Sequence, residues 1–248
     1  MIKRWHGGWW LAPALLLLAV NAVALARQGW LVTWFPYQID YGEGIVWQQM
    51  RSIVAGRGYA PLDGFPDIVF HYPPIYHLTS WLMSVLSGVS GLAAGRIVSL
   101  AATFIALAVG GAIAAAMLPR SYGWGWRLTA ALIAALMGAS TYPLQQWIGL
   151  MRVDMLALAF ALLGLLLTLR SLSRPGWITP AGIAFTAAVF TKQIALAAPA
   201  AAFLVLLLAR PSLAVRLLAT CLILGIAATT GLTVMTDGGF LKHLVEYN

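Results

Sequence analysis

Acidic residues are scarce in this chain. Its 248 residues include seven Asp and Glu against fifteen Lys and Arg, and charged residues make up 9% of it, where a soluble domain carries about a quarter. There is one cysteine. Cys221 sits in an apolar run, which excludes a disulfide framework and a thiolate metal site. Polar linkers, internal repeats and low-complexity tracts are also missing, so residues 1–248 read as a single unit. What fills the chain instead is hydrocarbon: 61% of the residues are hydrophobic. No globular core of this size needs so much apolar surface, so the solvent is lipid. The expected fold class is all-α, a polytopic membrane protein. The net charge of +8 then reports membrane orientation, and no nucleic-acid partner is expected.

Seven apolar runs are candidates for spans: Trp9–Ala26, Leu92–Leu118, Leu128–Leu144, Met155–Leu169, Ile178–Phe190, Ile194–Ala209 and Leu213–Met235. Lys3 and Arg4 before the first run have the charge pattern of a signal peptide. The run is longer than a signal core, however, and no small-x-small cleavage site follows it, so it reads as a retained span. Ile75–Val89 is short and polar, and reads as a helix lying in the outer interface. With that segment not crossing, the short loops carrying Arg120, Arg127, Arg170, Arg174, Arg210 and Arg216 share a side with Lys3 and Arg4. All seven acids (Asp40, Glu43, Asp63, Asp67, Asp154, Asp237 and Glu246) fall on the other. The positive-inside rule makes the basic side cytoplasmic. The expectation is about seven transmembrane helices, the N-terminus inside, and a large first extracytoplasmic loop over 28–91 carrying a helix at Gly44–Ala55 and the interfacial helix. Residues 238–248 read as the start of another outer interfacial helix, which leaves open a further C-terminal part after 248.

In that topology four sets of reactive residues meet on the outer face. They are Asp40 and Glu43 with Tyr41 between them, His71 and Tyr72, Arg152 and Asp154, and Lys192. Charges beside or inside spans are costly and mark function. Carboxylates with several cations at a membrane surface suit transfer of a sugar from a polyprenyl phosphate to an acceptor hydroxyl. A carboxylate takes the acceptor's proton, and cations hold the donor phosphate and stabilise the charge growing on it. A transport route would need broken helices and a polar path at mid-depth. The mid-depth polar residues Asn21, Ser99, Thr103, Thr129, Thr186 and Thr229 are scattered and uncharged, which favours surface chemistry. A divalent cation held by Asp63, Asp67 and Asp154 is conceivable.

These residues carry a resemblance. Asp40-Tyr41-Gly42-Glu43-Gly44 after the first span, Tyr72-Pro73-Pro74-Ile75-Tyr76, Arg152-Val153-Asp154 heading a span and Thr191-Lys192-Gln193 between two spans together resemble the GT-C membrane glycosyltransferases. The branch is that of the protein mannosyltransferases and the lipid A aminoarabinose transferase. The resemblance implies the GT-C conserved module and an inverting transferase of the cell envelope, in the bacterial inner membrane with its site extracytoplasmic. The implied partners are a polyprenyl-phosphate-linked sugar donor, a lipid, glycan or protein acceptor, and membrane lipids. Asp40 is implied to be the base, with Glu43 its catalytic partner. Arg152 and Lys192 are implied donor-phosphate ligands, as is the residue before the Pro-Pro pair. Here that residue is Tyr72, with His71 one place earlier. Asp154 and Tyr41 are supporting residues. No cofactor is implied with certainty. The alternative is a non-catalytic GT-C-like subunit, or a lipid-carrier or transport protein, that needs a partner.

Overall fold

The computed structural model describes residues 12–63, 68–119 and 121–247. Among these residues the chain is helical, with no strand. Lys3, Arg4, Trp9, Asp67 and Arg120, named above, and residue 248 lie outside them.

The helices are α1 (Ala12–Thr33), α2 (Tyr41–Val54), α3 (Ile75–Ser87), α4 (Leu92–Met117), α5 (Trp124–Ala139), α6 (Tyr142–Trp147), α7 (Asp154–Ser171), α8 (Ile178–Val189), α9 (Ala197–Ala209), α10 (Pro211–Met235) and α11 (Gly239–Leu241). A 3-10 turn at Pro175–Trp177 leads into α8, and one π-helical turn, Lys242–Glu246, follows α11.

The expectation of about seven spans is corrected. Four helices among the described residues are long and apolar enough to cross a membrane: α1, α4, α7 and α10. The other three apolar runs are broken by their own chemistry. Leu128–Leu144 divides where the Ser140 and Thr141 hydroxyls donate to the carbonyls of Leu136 and Gly138 and Pro143 opens α6. This leaves α5 with 16 residues, about 24 Å long. The turn at 190–196 leaves α8 and α9 with 12 and 13 residues, about 18 and 20 Å. A hydrocarbon core is about 30 Å thick. Apolar composition marks a segment as buried in lipid or protein, and does not fix how long its helix runs.

The two largest of four packed clusters among the described residues span most of the helices. In one, Val46 and Met50 of α2, Tyr76 of α3, Val98 of α4 and Met151 and Met155 around the start of α7 are buried together. In the other, Leu167 of α7, Phe185 of α8, Leu206 of α9 and Leu217 of α10 meet. Gly164 permits the close approach of α7 and α8, because a Cβ there would lie 2.5 Å from the Phe185 ring. Outward, Leu16, Val20 and Val23 of α1 and Ile223, Ile226 and Val234 of α10 are exposed. Water would make that apolar surface costly and lipid does not. The chain is a membrane protein.

The helices share a common set of ends. α1 and α5 finish, and α4 and α7 start, near the 34–91 connection that holds α2 and α3. The end of α8 meets the same place, where the Ile75 N–H donates to the Phe190 carbonyl at 3.3 Å. α3 begins at Ile75 as expected and stops at Ser87, where Gly88 takes a left-handed conformation (φ 70°). α2 begins three residues before the expected Gly44, because Asp40 caps it.

Candidate active site

Asp40 is the N-cap of α2 and forms a capping box with Glu43. Its Oδ2 accepts from the Gly42 N–H at 3.1 Å and from Arg152 Nη1 at 2.8 Å. The second bond sets what residue 42 can be, since a Cβ on Gly42 would collide with the Arg152 guanidinium. Arg152 also lies over the Trp147 ring at 5.1 Å, and its Nε is 3.9 Å from Asp154 Oδ2. Asp154 begins α7, where a negative charge suits the helix dipole, and its Oδ1 accepts from Lys192 Nζ at 2.6 Å. Gln193, the next residue, donates to the His71 carbonyl at 2.7 Å. A row of alternating charge therefore runs Asp40–Arg152–Asp154–Lys192 and reaches the His71 backbone.

The row is partly open. The Asp40, Arg152, Asp154 and Lys192 side chains keep 25%, 16%, 15% and 24% of their exposure. Arg152 Nε and Asp154 Oδ2 are buried atoms without a hydrogen-bond partner among the described residues, so the row has bonding capacity left at its centre. A cavity of about 460 Å³ is lined by Gln38, Tyr41, Gln48, Ile68 and His71. Tyr41 follows Asp40 in the chain, and the His71 carbonyl is the one that Gln193 holds, while the four side chains of the row are not part of the lining. A second, of about 650 Å³, continues past Gln48 and Ile68 to Arg51, Arg57 and Trp81. Tyr41 is exposed on the first.

Glu43 sits elsewhere. It is wholly buried, and both its oxygens are held by Arg96, which is equally buried: Nε to Oε1 and Nη2 to Oε2, each 2.8 Å. Oε1 also accepts from the Met151 N–H at 2.8 Å, and Oε2 from Ile39 at 2.8 Å. Burial pushes the Glu43 carboxyl up, but the Arg96 guanidinium and the two N–H donors outweigh it and hold it below the usual range. Arg96 gives its remaining bonds to the carbonyls of Val32, Phe35 and Tyr37. These lie at and just past the end of α1, where a helix leaves carbonyls unsatisfied. One ion pair thus ties together the end of α1, the start of α2, the first turn of α4 and the loop before α7. In this arrangement Glu43 touches no open space, so it acts through the position of its neighbours.

Tyr72 is half-buried against the first cluster, and its carbonyl accepts from the Tyr59 hydroxyl at 2.9 Å. Its ring is a packing element. His71 is half-buried at the cavity edge. His77 is fully buried, with Nε2 3.0 Å from Gln49 Oε1, and burial pushes it down to about 4, so it is neutral at pH 7. Among the described residues no three His, Cys, Asp or Glu side chains gather as metal ligands. Asp63 lines the larger cavity, away from Asp154. No family model, curated protein or solved structure matches the chain. Its chemistry is read from the geometry of the row alone.

Sequence reasoning missed Arg96. A signal was there: it is the one charge in Leu92–Leu118, and a lone arginine inside an apolar run marks a partner or a site.

Proposed function

We propose that the chain is a membrane glycosyltransferase, moving a sugar from a polyprenyl-phosphate donor to an acceptor hydroxyl with inversion. The observation that supports it is the partly open row Asp40–Arg152–Asp154–Lys192, at one end of lipid-facing helices. In this reading the acceptor oxygen attacks the anomeric carbon and loses its proton to an Asp40 oxygen. The bond from the anomeric carbon to the phosphate oxygen breaks, and its electron pair leaves with the polyprenyl phosphate. Arg152 and Lys192, whose side chains are partly exposed, stabilise that charge. Asp40 and Asp154 hold the two cations in place before donor binds. Tyr41 offers an aromatic face to the sugar, and His71 lines the cavity of about 460 Å³ with it. Glu43 serves as the strut that fixes the loop. Among the described residues the donor set does not fit a divalent cation, and no step runs through one.

The reading puts the row on the extracytoplasmic face of a bacterial inner membrane, with the arginine-rich end cytoplasmic by the positive-inside rule. The test is Asp40→Asn with radiolabelled polyprenyl-phosphate sugar. Asn caps a helix as well as Asp does, so the fold should persist while turnover falls about 10²- to 10⁴-fold. Full activity in the variant removes Asp40 as the base. If wild-type protein consumes no labelled donor, transferase chemistry is lost as a reading.

A further inference from the structure

At the end of the bundle away from the charged row, a separate cavity of about 590 Å³ opens between the end of α4, the start of α5 and the end of α7. Arg127, Arg170 and Arg174 line it, with Trp177 at one side and Leu118 and Leu169 among its apolar walls. The three arginines differ in what already holds them. Arg127 donates to the carbonyls of Ala115, Leu118, Pro119 and Tyr122, at 2.9, 3.1, 3.0 and 3.4 Å, and so closes the end of α4. Arg170 lies over the Trp177 ring at 5.8 Å, at the negative end of α7. Arg174 is exposed. Among the described residues no carboxylate pairs with any of the three.

Three like charges around one concave space repel each other, and a bound anion relieves that repulsion. Two features place the cavity at headgroup depth. Trp177 of its lining is exposed, and so are Trp124 and Trp126 in the first turn of α5, as aromatic residues are where a helix leaves the hydrocarbon. The walls also change from arginine to leucine, matching a ligand with a charged group joined to an apolar chain. Basic pockets between membrane helices recognise lipid phosphates in this way. We propose that this cavity binds the phosphate of an anionic phospholipid headgroup, with Arg170 and Arg174 as its ligands. This site is independent of glycosyl transfer and lies at the opposite end of the molecule from the charged row.

Trp177 provides the readout. The full chain is reconstituted in phosphatidylcholine vesicles containing increasing brominated phosphatidylglycerol, or brominated phosphatidylcholine. The quenched component is the fluorescence lost between wild type and Trp177→Phe. Quenching by the anionic lipid should be half-maximal at a mole fraction on the order of tenfold lower than by the zwitterionic one. R170Q/R174Q should lose that preference, while R170K/R174K should keep most of it, which separates lost charge from lost fold. Inorganic phosphate, matched in ionic strength with chloride, distinguishes the sources. A preference that survives it assigns the site to lipid, and a preference it abolishes overturns the lipid assignment in favour of free phosphate. Equal quenching by both lipids in wild type, or a preference that persists in R170Q/R174Q, would sink the proposal.

Discussion

Glu43 and Arg96 are two wholly buried charges, and removing one strands the other. Breaking a buried pair costs about 3–5 kcal/mol, because the partner is left charged without compensation. Glu43→Gln and Arg96→Met should each lower stability by about that amount, read from the unfolding midpoint in detergent. The double variant should lose less than the sum of the two, since no lone charge remains. A Glu43→Gln loss below about 1 kcal/mol would put the pair among those that contribute little and remove it as the clamp on the loop. The same two residues show where sequence reading stops. Asp40 and Glu43 were legible as paired carboxylates just ahead of a helix expected from Gly44, and Asp40 does meet Arg152. Burial was not legible. Nothing in Asp-Tyr-Gly-Glu-Gly says that the second carboxylate turns inward, because its partner Arg96 lies 53 residues away in a run that reads as lipid-facing.

At the level of elements, α2 is built to bring its N-terminus against the loop before α7. Gly42 is the contact point, and its lack of a Cβ is what admits the Arg152 side chain. Helix propensity makes the opposite forecast. Alanine in a helix is about 0.5–1 kcal/mol more favourable than glycine, so α2 alone would gain from Gly42→Ala. The clash should win at the site: Arg152 must leave Asp40, and a displacement of about 1 Å there can cost on the order of a hundredfold in turnover. The expected result is a thermal midpoint near wild type with transfer activity sharply reduced. A Gly42→Ala protein with normal turnover would show that the Asp40–Arg152 contact is not needed for activity. The start of α3 was readable because Pro73-Pro74 punctuates it, whereas its end was placed at Val89, past the Gly88 that stops the helix. The boundaries of α5, α8 and α9 were not readable, since an apolar run keeps its composition where the backbone turns, as at Ser140–Pro143 and at 190–196.

For the molecule as a whole, the described acids are sorted to one end, while basic residues occur at both. Asp40, Glu43 and Asp154 gather around the row. The segment with Asp237 and Glu246 is drawn to the same end, where His243 bonds the Phe70 N–H and the Ala60 carbonyl at 3.1 and 2.8 Å. Arg127, Arg170 and Arg174 occupy the other end. A single helix is enough to separate the two. α4 carries Arg96 of the clamp in its first turn and reaches the arginine-lined cavity after Met117, and its 26 residues extend about 39 Å, more than the hydrocarbon thickness. The proposed orientation rests on which charges sit at which end. This is why the segregation was readable from sequence while the count of spans was not. In a Cys221→Ala background, an impermeant thiol reagent added to intact cells should label Tyr41→Cys. Gly176→Cys should react only after permeabilisation. Both positions are exposed, so a difference in labelling reports sidedness rather than burial. Equal labelling of the two, or labelling of Gly176→Cys alone, would reverse or abolish the proposed orientation and move the charged row to a face where no extracytoplasmic acceptor can reach it.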